Sequence, residues 1–197
     1  MTSKLIVNSI RHTGASADAI TMDASGNVTF PGNATCSGTP SGFGGITMAD
    51  QWRITTGFSS SNQVLNSNWE RHDTYGAGAV GSSLMTESSG VFSFPTTGIY
   101  FIHFFANAVH SGRSRYVGVT INTTTDNSSY GIISNAYDSL PDDTSAFSQM
   151  SCSALFDVTN VSTHKVYFQV LAEVSVTWEA HSDNNRTSAV FLRLGDT

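Results

Sequence analysis

Gly98-Ile99-Tyr100-Phe101-Ile102-His103-Phe104-Phe105 is the stretch on which the reading of the fold turns. Aromatic and β-branched residues dominate it, which suits a pleated strand and not a helix. An ordinary half-exposed strand alternates apolar with polar residues, but this one is apolar on both faces. Such a strand needs cover on both sides, one from its own domain and one from beyond it. Val91-Phe92-Ser93-Phe94 leads into it through the turn Pro95-Thr96-Thr97. A second strand therefore precedes it at close range.

Working outward, the same grammar repeats. Gln51-Trp52-Arg53-Ile54-Thr55 reads as an opening strand, and Val117, Val119 and Ile121 alternate within Tyr116–Ile121. Met150–Phe156 follows, then Lys165–Ala172 with Val166, Phe168 and Val170 on one face, and Ser188–Leu194 closes the chain. Short strands at even spacing with no helical period between them predict an antiparallel sandwich or barrel. Composition agrees. Only 12% of the residues are charged, about half of the roughly 25% usual in soluble domains. Gly, Ser, Thr and Asn take their place, and these suit turns better than helices.

Upstream the pattern thins. Lys4–Ile10 is a β-branched run that includes Leu5 and Val7. Ile20 and Met22, then Val28 and Phe30, alternate with polar residues on either side of Ala24-Ser25-Gly26, as in a hairpin. A hairpin with so few apolar residues is marginal alone in water, so Leu5, Val7, Ile20, Met22, Val28 and Phe30 are expected to attach to something larger. Gly38-Thr39-Pro40-Ser41-Gly42-Phe43-Gly44-Gly45 is the clearest linker signal. The expected organisation is an N-terminal β arm over 1–37, a Gly-rich linker over 38–49 and a head over 50–197.

The segment Phe92, five residues, then Gly98-x-Tyr100-x-Ile102-x-Phe104 resembles the central signature of the complement-recognition globular heads, which belong to the tumour-necrosis-factor-like jelly rolls. Ile102 stands where that pattern usually has Phe, and the stretch Tyr75 to Leu84 lacks its upstream half. His164–Val170 is similar to the family's penultimate strand and Ser188–Leu194 to its closing strand, without the usual Gly. The resemblance implies a ten-strand, two-sheet jelly-roll sandwich that trimerises about a three-fold axis. It assigns Phe92, Tyr100, Ile102, Phe104 and Phe191 to core or trimer packing, without saying which. Lys4–Ile10 and Ala19–Phe30 resemble the opening segments of tail-fibre and other structural proteins of marine tailed phages.

Several chemistries are set aside. Gly76-Ala77-Gly78-Ala79-Val80-Gly81 spells a dinucleotide fingerprint, but it follows a polar stretch and opens no helical pattern. A loop is expected there. A net charge of -6 argues against nucleic acid, the best basic candidate being Arg113 with Arg115. Cys36 and Cys152 match no metal spacing and read as unrelated thiols. The six histidines form no ligand spacing either, although His103 copies could meet near a trimer axis. Asp142-Asp143 and Asp183-Asn184-Asn185 read as solvated turns in preference to a calcium site. No nucleophile elbow or paired-carboxylate motif appears, so a non-enzymatic protein without cofactor or metal is expected. Trp69, Tyr75, Tyr130, Tyr137 and Trp178 are candidates for a carbohydrate- or protein-binding surface, weighed against simple packing.

Neither a signal-peptide pattern nor an apolar run near the ~18 residues of a membrane span is visible. The functional expectation is a virion structural protein made in the host cytoplasm. It is a homotrimer whose arm contacts other virion proteins and whose head, as a short tail fibre, binds a host surface glycan or protein. Capsid decoration is the alternative reading, and a secreted tumour-necrosis-factor-like ligand the third.

Overall fold

A computed structural model describes residues 7–32 and 46–197. The chain divides into two compact units, Met1–Gly44 and Gly45–Thr197. Within the described residues of the first, β1 (Ser9–Ile10), β2 (Ile20–Met22) and β3 (Val28–Thr29) form an antiparallel sheet in that order. The β2–β3 turn is built by Asp23, whose carboxylate accepts hydrogen bonds from the amides of Ser25 (2.9 Å) and Asn27 (2.9 Å) and from the Asn27 side chain (2.8 Å). These bonds, led by the Asn27 side chain, hold the Asp23 carboxyl below its usual pKa. Of the expected attachment residues, Val28 and Phe30 are exposed, Val7, Ile20 and Met22 are half-buried, and Leu5 lies outside the described residues.

The second unit is all β. Its strands are β4 (Met48–Ile54), β5 (Phe58–Val64), β6 (Trp69–Arg71), β7 (Thr86–Ser88), β8 (Val91–Ser93) and β9 (Gly98–His110). They continue with β10 (Ser114–Thr124), β11 (Gly131–Leu140), β12 (Ala146–Val158), β13 (Lys165–Trp178) and β14 (Thr187–Gly195). Eleven strands stand where the resemblance implied ten. They form two antiparallel layers, β12-β9-β14-β4-β6 and β11-β10-β13-β5, the second extended by β8 and β7. Strand β13 joins the layers. Its first half pairs with β10, its register against β5 shifts between Leu171 and Val176, and its end pairs with Ala108 and Val109 of β9. The head starts earlier than expected from the Gly-rich stretch: Met48 is buried and pairs with Arg193, because β4 needs its full length to match β14.

Strict alternation positions the core. Tyr100, Ile102, Phe104, Ala106 and Ala108 of β9 are buried, as are Val117, Val119 and Ile121 of β10 and Val166, Phe168 and Val170 of β13. Phe92 is the hub, its ring centroid lying 5.4 Å from Trp52, 5.1 Å from Trp69, 5.6 Å from Phe168 and 5.2 Å from Phe191. Edge and tilted contacts of this kind add to the burial of large apolar area. The motif residues thus have physical reasons. Tyr100 caps the preceding turn by donating its hydroxyl proton to the Thr96 carbonyl (2.9 Å). Gly98, at φ +143°, leaves room that a side chain would take, since a Cβ there would stand 2.5 Å from the Gly195 carbonyl oxygen.

Candidate functional site

The five residues expected in core or trimer packing all resolve to the core: Phe92, Tyr100, Ile102, Phe104 and Phe191 are each 0% exposed. The opposite face of β9 carries Ile99, Phe101, His103, Phe105 and Val109, none fully buried. Register builds a surface around them. Leu155 of β12, Phe101, Leu192 of β14 and Ala49 of β4 form one row across the layer. The next row is Ser153, His103, Val190 and Gln51. Leu155 and Phe147 are each 65% exposed and Leu194 is 53% exposed. The two rows contain no carboxylate, ammonium or guanidinium group.

His103 sits in the middle of this face, its ring stacked parallel to Phe101 at 6.4 Å and tilted against Phe105 at 6.2 Å. Burial among these rings lowers its pKa from the usual imidazole value. The positions beside it on β12 and β14 are Ser153 and Val190, so no acid or thiol adjoins it in register. What such a surface can do is pack against another apolar surface.

A flank of the same layer holds a polar network that sequence reading missed. Asp50 points inward, opposite Phe191, and its carboxylate accepts hydrogen bonds from Arg71 Nε (2.9 Å) and the Met85 amide (3.1 Å). Arg71 also donates to the Met85 carbonyl (2.7 Å) and lies 4.6 Å from the Trp52 ring centroid. Arg53, 1% exposed, donates to Glu70 (2.8 Å), Asp73 (3.1 Å) and Thr74 (3.0 Å). Together they fasten the segments around β6 and Met85 to β4. The available signal was parity: Met48, Asp50 and Trp52 share one face, so an acid stood at a core position.

The other candidates separate. Trp69 and Trp178 pack in the core region and donate to the carbonyls of Leu65 (2.7 Å) and Ser60 (3.0 Å). Tyr75 is 89% exposed. Tyr130 and Tyr137 belong to the outward side of the other layer. The glycine-rich segment is a loop whose Val80 bridges to Ala49, with no helix after it. Cys152 is buried, and burial raises its thiol pKa to about 11. Cys36 lies outside the described residues. Among the described residues no group of three His, Cys, Asp or Glu side chains is placed to hold a metal ion.

No protein-family model matches the chain, and no curated protein does. Solved structures do. The chain is similar to the Eiger TNF from S. frugiperda, at TM-score 0.55 and 13% identity over 76% of this chain and 93% of that one. It is also similar to murine APRIL at pH 5.0, at TM-score 0.52 and 12% identity over 75% of this chain and 98% of that one. At such identities the likeness is one of fold. The head is a jelly-roll sandwich of the tumour-necrosis-factor type.

Proposed function

We propose that the chain is a non-enzymatic virion protein of a tailed phage: a homotrimeric jelly-roll head on an N-terminal attachment arm, serving as a short tail fibre that binds the host surface. The observation that carries the self-association is the pair of uncharged, largely apolar rows through Phe101 and His103, with Leu155 at 65% exposure and Asp157 only at their margin. Burying a Leu or Phe is worth about 1.5–3 kcal/mol, and rows without fixed charge can meet their own copies without repulsion. The complement-recognition likeness of the Phe92–Phe104 motif adds the three-fold symmetry. The arm supports the virion reading through its phage-like segments, and its exposed Ile10, Val28 and Phe30 offer apolar groups to a particle.

The short arm sheet equally favours the second reading, a decoration protein seated on the capsid shell. The ligand reading ranks third, because a likeness at 12–13% identity conveys fold and not function. Two measurements test the proposal. Light scattering on the purified chain should give three times 21.0 kDa, and a stable monomer at micromolar concentration overturns the trimer. Antibody labelling of particles in the electron microscope should mark the tail. An ordered array over the head selects the decoration reading instead, and unlabelled particles overturn both virion readings.

A further inference from the structure

The outward side of the second layer has the opposite chemistry to the apolar face. On β10 the inward residues Val117, Val119 and Ile121 face the core, which turns Gly118, Thr120 and Asn122 outward. Thr120 lies in register between Asn135 of β11 and Gln169 of β13. Thr120 and Asn122 are 0% and 3% exposed, so their taller neighbours cover them and they support those neighbours from beneath. The strip is already partly ordered: Asn122 Nδ2 donates to Thr120 Oγ1 (2.7 Å), and Gln169 Nε2 donates to Asn62 Oδ1 (2.6 Å).

Tyrosine pairs stand at both ends. At one end Tyr137 lies over Gly118 and meets Tyr116 edge to face at 6.2 Å. Only glycine permits this, since a Cβ at 118 would stand 2.4 Å from Tyr137 Cδ1. At the other end Tyr130 packs on Tyr167, the register partner of Asn122, at 4.8 Å. The separation from Gly118 to Asn122 along the strand is ~13 Å, at about 3.3 Å per residue.

Charge is absent from the strip and engaged at its margins. Arg115 is paired with Glu173. Asp126 is occupied by the amides of Ser128 (2.8 Å) and Ser129 (2.7 Å), and Lys165 donates to the Val161 carbonyl (2.7 Å). Amide side chains and Leu171 between aromatic rings, with the charged groups kept to the margins, are complementary to an uncharged ligand rich in hydroxyls and C–H faces. We infer that this strip is a binding site for a neutral oligosaccharide, with Tyr137 and Tyr167 as stacking platforms and the exposed Asn135 and half-buried Gln169 as hydrogen-bonding groups. The inference deepens the adhesin reading and rests on it for the host as source of the glycan.

The test is a printed array of neutral, sialylated and sulfated glycans probed with the full-length chain, followed by titration calorimetry with the best soluble oligosaccharide. Neutral glycans should bind. Tyr137→Ala and Gln169→Ala should each weaken binding by roughly tenfold or more, as for residues central to a contact. Gly118→Ala should act like Tyr137→Ala by lifting the ring, although residue 118 itself offers no side chain to a ligand. Thermal unfolding checks that each variant folds, and Tyr75→Ala, an exposed tyrosine elsewhere, should bind as the parent does. Binding confined to charged glycans, neutral binding indifferent to Tyr137 and Gly118, or no neutral glycan bound would each overturn the inference. A protein rather than a glycan as the host ligand would show as the last of these. Failure of the virion reading is seen separately, in the particle labelling.

Discussion

Replacing Leu155 by aspartate should turn the trimer into a folded monomer. The side chain is 65% exposed in the single chain, so it contributes little to the core and much to any surface that covers it. Full burial of a leucine is worth about 1.5–3 kcal/mol, which leaves about 1–2 kcal/mol per copy to be gained on assembly. Over three copies the loss is about 3–6 kcal/mol, or roughly 10²–10⁴-fold in the association constant. The carboxylate adds its own desolvation cost to this lower bound. Light scattering across a concentration series reads the mass, and circular dichroism with thermal melting reads the fold. A Leu155→Asp variant that stays trimeric over the same concentrations as the parent would refute the placement of the interface on this face.

Three other outcomes follow from the same geometry. Asp50→Ala removes the acceptor shared by the part-exposed Arg71 and the buried Met85 amide, and should cost about 1–3 kcal/mol in urea unfolding, as for a buried donor left unpaired. Asp50→Asn keeps one of the two acceptor oxygens and should cost less, and a loss equal to that of Asp50→Ala would show that one retained acceptor does not suffice. Burial lowers the pKa of His103 in the folded chain, so the unfolded state takes up the proton more readily. Folding stability should therefore fall as pH drops below about 6.5, the ordinary imidazole value. The groups in register with His103, namely Ser153, Val190 and Gln51 beyond it, do not titrate, so His103→Gln should reduce this dependence, with the remainder coming from His72, whose pKa burial also lowers. Finally, Cys152, its thiol pKa raised to about 11 by burial, should resist iodoacetamide near pH 8 in a Cys36→Ser background and react only on unfolding. Rapid labelling of the folded chain would contradict that burial.

Much of the architecture was legible because strand periodicity is local. The alternation in Tyr116–Ile121 and Lys165–Ala172 gives strand and inward face together. It failed at β9, where both faces are apolar, so whether Tyr100 or Phe101 turned inward had to come from the packing of Phe92 and Phe168. The Gly-rich stretch concealed the start of β4, because Met48 is committed by its partner Arg193, 145 residues on by their numbering. Asp50 was hidden for a related reason: its partners Arg71 and Met85 come from separate segments that only the fold brings together. The tyrosines show the limit most clearly. Tyr130 and Tyr137 were candidates alongside Trp69, Tyr75 and Trp178, but only the register of β10, β11 and β13 separates surface rings from core rings.

The division of chemistry between the two layers has a consequence for binding strength. The two rows at the centre of the apolar layer hold no charged side chain, which lets copies of them approach. The polar layer keeps its tyrosines and amides uncovered by the core. In the proposed trimer, three oligosaccharide strips share one particle. A single shallow strip binds weakly, whereas linked sites on a glycan-coated surface can exceed the single-site affinity by roughly 10²–10⁴. The Leu155→Asp monomer separates these contributions, because Leu155 and Tyr137 lie on different layers. Against a soluble oligosaccharide it should match the parent in calorimetry. On an immobilised layer of the same sugar its dissociation should be much faster than the parent's. Equal dissociation from the surface would mean that the three strips cannot engage together. A changed affinity for the soluble sugar would mean that the binding strip and the apolar face are not independent.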